Sequence, residues 1–146
     1  GIKYCKSIED AFITNKVRLI ISLDSSKRET YKKIKQVDCF DAVVNNIKRY
    51  VAASDNAKKY IMLKYILLDD CNDNEEELSG FISIAKDIGI ENIRMDLNFD
   101  KYLTTNDVRV PDKFYDLFDF FEKSALEYGL KVHHNEQVDA ILNKWR

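Results

Sequence analysis

Proline and glycine are scarce in this sequence, at one and four residues of 146, and there are three cysteines. So little proline and glycine excludes a collagen-like repeat and a low-complexity linker. Cys5, Cys39 and Cys71 are far apart and odd in number, which argues against a disulfide framework and against a Cys-only cluster within this chain. No apolar run reaches the roughly 20 residues that span a bilayer. The N-terminal stretch GIKYCKSIEDAF is charged and mixed, unlike a signal peptide. The net charge of −2 and the interspersed signs leave no basic footprint for nucleic acid. These absences together describe a soluble, cytoplasmic protein with neither nucleic acid nor membrane as partner. The first residue is Gly rather than Met, which reads as a chain processed, tagged or excised from something longer.

What is present is a 45% hydrophobic, 33% charged chain, long enough to bury the core of one domain spanning residues 1–146. Its dominant pattern is alternation. Ile8, Ala11 and Phe12 recur at helical spacing, and residues 17–23 (VRLIISL) are rich in branched side chains and read as a strand. A short helix follows at RETYKKIK. A longer one spans 39–54, with Phe40, Val43, Val44, Ile47 and Val51 on one stripe. Residues 60–68 read as the second strand. The next helix is predicted to start at Asn74 as N-cap, carry Glu75 to Glu77 in its first turn and stop at Gly89. The third strand is 91–99. Pro111 opens an aromatic helix whose stripe is Phe114, Leu117, Phe118, Phe121 and Leu126, and Gly129 ends it. LKVHH is a fourth short strand, and QVDAILNKWR a terminal helix. Strands alternating with helices through short loops predict an α/β fold of parallel βα units.

Side chains alternate sides along a strand, so each strand splits into two rows. Leu19, Ile21 and Leu23 oppose Ile20, Ser22 and Asp24. Ile61, Leu63, Tyr65 and Leu67 oppose Met62, Lys64, Ile66 and Leu68. Ile93, Met95 and Leu97 oppose Arg94, Asp96 and Asn98. One row is apolar on every strand except at Tyr65, while the other gathers Ser22, Asp24, Lys64, Arg94, Asp96 and Asn98. A doubly wound sheet is covered on both faces and reads as continuous apolar runs. This pattern instead predicts helices on one face and a polar lining on the other, as in a barrel whose interior is a binding site. Buried charges cost several kcal/mol each unless paired or met by a ligand. The lining is therefore a ligand site or a self-satisfied salt-bridge cluster joining Asp24 or Asp96 to Lys64 or Arg94.

The segments SLDSSKRETYKKIKQVDCFDAVVNNIKRY, LKYILLDDCNDNEEELSGFISIAKDIGI and IRMDL, in this order and spacing, resemble the later part of the radical S-adenosylmethionine (radical SAM) domain. The resemblance covers residues 1–99, with a helix–strand–helix at 111–146 beyond it. It implies part of a (β/α)6 partial TIM barrel with helices outside. It also implies that Ser22 and Asp24 meet the ribose and amino-acid end of S-adenosylmethionine, that Lys33 or Lys35 meets its carboxylate, and that Lys64, Arg94, Asp96 and Asn98 face the same cavity.

The chain lacks the family's CxxxCxxC loop, whose thiolates hold a [4Fe–4S] cluster, and the Gly-Gly-Glu segment of the second family strand; Asp69-Asp70 stand where the family carries Pro-Gly. Gly1-Ile2-Lys3 resembles the tail of the family's Thr-Asn-Gly. The reading is thus a fragment of a radical SAM enzyme that completes its pocket with the upstream part of the same polypeptide. That parent would hold the cofactor and cluster and generate a 5′-deoxyadenosyl radical; this chain alone would bind neither and be inactive. The alternative is a non-catalytic, stand-alone βα interaction domain that forms a homo-oligomer through its exposed sheet edge. His133 and His134 face opposite sides of their strand and read as structural or surface residues. The acidic run at 69–77 reads as a helix cap rather than a calcium loop, and residues 102–110 as a surface loop near the cavity mouth.

Overall fold

The computed structural model describes residues 3–102 and 110–145. Among them, β1 (Leu19–Ser22), β2 (Ile61–Leu67), β3 (Asn92–Leu97) and β4 (Lys131–His133) form one sheet, ordered β1-β2-β3-β4 and parallel throughout. Parallel neighbours need a long crossover, and helices supply each one. α2 (Arg28–Lys35), α3 (Phe40–Ala53) and α4 (Asp55–Tyr60) join β1 to β2, and α5 (Glu75–Ile88) joins β2 to β3. α6 (Phe99–Tyr102) and α7 (Asp112–Glu127) lie between β3 and β4. α1 (Lys6–Ile13) precedes β1 and α8 (Glu136–Trp145) follows β4. Among the described residues no helix is long and apolar enough to cross a membrane.

The two rows divide as the alternation predicts. Ile61, Leu63, Tyr65 and Leu67 of β2 are buried while the residues between them are half-buried, and Ile93, Met95 and Leu97 of β3 are buried as well. This row joins one core with Ile47 and Val51 of α3, Leu78, Phe81 and Ile82 of α5, and Phe114, Phe118 and Phe121 of α7. Phe81 meets Tyr65 edge-on at 5.1 Å and leans on Phe121 at 6.1 Å. Each such side chain contributes about 1.5–3 kcal/mol by leaving water, so the apolar face sets the sheet's orientation.

Four details depart from the sequence pattern. The long helix ends at Ala53; Ser54 is extended, and its hydroxyl accepts the Asn56 N–H at 3.2 Å to start α4, so the chain turns twice before β2. Ala125, four residues after Phe121, completes the α7 stripe, and Leu126, one step further round, is 76% exposed. β1 begins at Leu19 rather than at 17. Tyr102 and Val110 are both buried, Tyr102 as the last residue of α6, rather than forming a surface loop; residues 103–109 lie outside the described residues.

α5 starts as its sequence predicts, with the Asn74 side chain accepting the Glu77 N–H at 3.0 Å. Glu77, at the position where a capping box would reach back to the cap, turns away instead. Its buried carboxylate accepts the Ser26 N–H at 2.7 Å, the Ser26 hydroxyl at 2.8 Å and the Thr30 hydroxyl at 2.6 Å. This ties α5 to the loop between β1 and α2. Gly80 permits the approach, because a Cβ there would sit 2.5 Å from Ser26 Cβ. Gly80→Ala is therefore expected to destabilise the fold by about 1–3 kcal/mol, the range for overpacking. Urea unfolding measures this, and an unchanged midpoint would show that the loop gives way freely.

Candidate functional site on the polar sheet face

Register places the polar residues in rows across the strands. Ser22 lies opposite Lys64, Lys64 opposite Arg94, and Arg94 opposite His133, so one row crosses all four strands. Ile66 lies opposite Asp96 in the next row towards the strands' C-terminal ends. Ser22, Lys64, Arg94 and Asn98 are half-buried, and Asp96 is fully buried.

The charges on this face are partly satisfied by one another. Arg94 Nε donates to Asp96 Oδ1 at 2.9 Å, and Asn135 Nδ2 donates to the same oxygen at 3.0 Å. Asp96 Oδ2 is buried with no hydrogen-bond partner among the described residues. The Lys64 ammonium lies in the field of Asp24 but makes no hydrogen bond or ion pair among the described residues. The self-satisfied cluster is thus realised for Arg94 and Asp96, while Lys64 is left to meet something else.

Asp24 and Lys35 form an ion pair. Asp24 follows β1 in the left-handed backbone region, φ 57°, and is buried. Its Oδ1 accepts the Ile66 N–H at 2.9 Å and its Oδ2 pairs with Lys35. Lys33 is exposed and donates to the Asp70 carbonyl at 3.4 Å, beyond the end of β2. Both lysines that the resemblance assigns to the cofactor carboxylate thus have a partner within this chain, and the left-handed turn at Asp24 points its carboxylate at β2 and at Lys35 of α2.

Two asparagines that hydropathy could not single out organise the site. Asn72, fully buried, donates from Nδ2 to the carbonyls of Asp24 and Ile66, both at 2.8 Å, and accepts the Leu68 N–H at 2.8 Å. The Tyr65 hydroxyl donates to the Asn72 carbonyl at 2.6 Å, which explains the one polar atom in the apolar row; burial pushes this phenol's pKa up. Asn135 caps α8, its Oδ1 accepting the Val138 N–H at 2.7 Å, while its amide nitrogen holds Asp96. Asn135 was legible as a cap, since an asparagine stands just ahead of a helical segment. Asn72 left no such signal.

The remaining candidates have separate partners. His133 Nε2 lies 2.9 Å from Asn92 Oδ1, and His134 Nε2 lies 2.9 Å from Glu122, with its ring edge-on to Phe118. In the acidic run, Asp69 pairs with Lys101 and the Tyr102 hydroxyl, and Asp73 with Lys113.

Burial pushes the Asp24 carboxyl above the ordinary carboxylate value of 3.8, against the opposing pull of Lys35 and the Ile66 N–H. A raised folded-state pKa means that ionisation costs stability. The contribution is complete below the unfolded-state pKa and is lost as pH rises through the folded one. Asp24→Asn keeps an acceptor for Ile66 and tolerates the left-handed backbone. The variant is therefore expected to gain stability relative to the parent as pH rises above about 4, the ordinary carboxylate value. Urea midpoints over that span measure it; parallel curves for the two proteins would contradict it.

No protein-family model matches the sequence. Curated relatives do: probable GTP 3′,8-cyclases of Saccharolobus islandicus strain L.S.2.15 and of Saccharolobus solfataricus strain P2 are each 33% identical over 78 residues, 53% of this chain. The match spans 23% of those relatives' length. In fold, the chain is similar to a domain of a pyruvate-formate lyase-activating enzyme from Bacteroides vulgatus, with TM-score 0.63, 16% identity, and 90% of this chain and 74% of that one covered. It is similar also to a radical SAM methyltransferase from Sphaerobacter thermophilus, with TM-score 0.61, 15% identity, and 94% and 40% covered. The chain is thus similar in sequence, over about half its length, to probable GTP 3′,8-cyclases, and its all-parallel α/β fold is similar to that of radical SAM proteins.

Proposed function

We propose that the polar face of β1–β3 is one wall of the S-adenosylmethionine site of a radical SAM enzyme, and that this chain works as part of a longer polypeptide. The observation that carries this reading is the row Ser22–Lys64–Arg94, in register across three strands, with the Lys64 ammonium unpartnered among the described residues. A hydroxyl, an ammonium and a guanidinium suit the ribose and amino-acid carboxylate of that cofactor. Asn98 extends the lining at the end of β3, and Asp96 braces Arg94 while keeping one buried acceptor oxygen. Asp24 and Lys35 hold the end of β1 in place beneath the row, a supporting role, and Lys33 lies outside it.

The donor set does not fit an iron–sulfur cluster. Cys5, Cys39 and Cys71 lie on α1's N-terminus, α3's N-terminus and the loop after β2, and among the described residues no three candidate ligands converge. The thiolates must come from polypeptide outside this chain. When bound there, S-adenosylmethionine supplies the radical; the residues of this chain orient it. The relatives' name makes a purine nucleoside triphosphate the first substrate to try with the longer polypeptide.

Anaerobic reconstitution of the 146-residue chain is expected to give no [4Fe–4S] absorbance and no cofactor cleavage. In a longer polypeptide with a CxxxCxxC loop, Lys64→Met is expected to weaken S-adenosylmethionine binding about tenfold, or about 1.4 kcal/mol, by equilibrium dialysis. Cluster binding and cofactor cleavage by this chain alone would overturn the reading.

One observation favours a second reading. Among the described residues β1 has β2 as its sole strand neighbour, and its other edge is open. A non-catalytic domain that pairs two copies through this edge would use it. Light scattering decides: a concentration-independent monomer removes the second reading, and a stable dimer supports it.

A further inference from the structure

We propose that the N-terminal ends of β1–β3 form a second binding site, which takes the phosphoryl group of a small phosphate ester through Arg18, Lys59 and His133. A cavity of about 410 Å³ opens there on the polar face of the sheet, over the register row Ile20–Met62–Asn92. This row lies about 7 Å nearer the strand starts than Ser22–Lys64–Arg94, and Lys64 does not line the cavity. Arg18, Lys59 and His133 are among its walls, and no carboxylate is among the described residues that line it. The Arg18 and Lys59 side chains make no hydrogen bond or ion pair among the described residues. Asp55, in whose field Lys59 lies, is taken by Lys58 at 2.7 Å.

Local structure holds these groups in place. The turn after α1 runs through Asn15, which takes the left-handed conformation, φ 57°, that asparagine tolerates. The Asn15 and Lys16 N–H groups bond back to the Phe12 and Ala11 carbonyls at 3.0 and 2.8 Å, so the chain enters β1 in a fixed direction. Arg18 then lies over the Tyr60 ring, its guanidinium carbon 5.6 Å from the ring centre, and stacking leaves its planar fork of N–H groups for a ligand. Asn92 organises the other wall. Its Nδ2 donates to the Lys59 carbonyl at 2.8 Å, which makes Oδ1 the acceptor, so His133 Nε2, 2.9 Å away, carries a hydrogen. His133 Nδ1 is left to accept from a phosphate hydroxyl or, when protonated, to donate to a phosphate oxygen. Lys16 adds a further ammonium from an adjoining cavity of about 340 Å³ that shares Arg18 and Tyr60. A guanidinium fork with ammonium groups beside it suits a dianion of three oxygens, whereas a carboxylate would fill the fork alone. Ile20, 54% exposed, and Met62 supply an apolar floor. Ligand pockets combine such a floor with a few placed polar groups, and an ester with a flat apolar body would cover it.

Calorimetric titration of the 146-residue chain with phenyl phosphate and, separately, with inorganic phosphate tests this. Phenyl phosphate is expected to fill one saturable site, about threefold or more tighter than the inorganic ion, because part of its ring leaves water on Ile20 and Met62. Arg18→Gln and Lys59→Gln are each expected to weaken it about tenfold, the loss of one charge-assisted hydrogen bond. Both residues are exposed, so urea midpoints should stay where they are and report that each variant is folded. Lys64→Met is expected to leave phenyl phosphate binding unchanged, which separates this site from the row assigned to S-adenosylmethionine. No saturable binding overturns the proposal, as does binding that Arg18→Gln and Lys59→Gln leave intact. A loss with Lys64→Met overturns it too, since the phosphate would then sit on the neighbouring row. Equal affinity for the two probes overturns the ester and makes free phosphate the occupant. None of these outcomes depends on the cofactor or on polypeptide outside this chain.

Discussion

The Asn72 side chain is the constraint on which the site depends. Its amide nitrogen holds the carbonyls of Asp24, just after β1, and of Ile66 in β2, where β1 and β2 stop pairing. Its amide oxygen and its own backbone carbonyl are taken by Leu68 and Tyr65. All this happens in a fully buried position, where an unmet polar group costs about 1–3 kcal/mol. A side chain with two donors and one acceptor can satisfy the arrangement; an apolar residue of similar volume would leave three backbone groups unmet. With the strand ends fixed, Ser22 and Lys64 keep their register, and the left-handed turn at Asp24 can spend its carboxylate on Ile66 and Lys35.

A second tie works from the helical side. Glu77 gives one carboxylate oxygen to Ser26 in the loop after β1 and the other to Thr30 of α2, and Gly80 lets α5 approach. The loop bearing Ser25 and Ser26 is thus held from two directions, by Asn72 under the sheet and by Glu77 on the crossover of the neighbouring strand. Tight binding of a small ligand favours such pre-organisation, because little entropy remains to be lost when the ligand arrives.

Much of this was legible in the sequence. The strand rows were, because a parallel sheet covered on one face forces period-two burial, and Ile61 to Leu67 spell it out residue by residue. The N-cap at Asn74 was, because capping is local chemistry. What the sequence hid depends on contacts between distant residues or on single backbone angles. The positive φ of Asp24 aims its carboxylate at Ile66 and Lys35, and no periodicity reports a φ value. Asn72 sits in an acidic, polar run that looks like any surface loop. Leu126 matched a helical stripe by type while Ala125 matched it by angle, and angle prevailed.

The all-parallel order has a consequence for how the chain acquires its structure. Leu19 meets Ile61, Met62 meets Asn92, and Asn92 meets Lys131, so no strand pair forms without closing a loop that contains at least one helix. The cost of closing such loops comes before the contacts that reward it, and folding slows as sequence separation grows. Helices such as α3 and α5 can gather early around Ile47 and Phe81, while β1, four residues long, has to wait for β2 to emerge and fold. During synthesis the ribosome delivers β1 well before β2, and for that interval the edge that β2 will cover is open to wrong pairings.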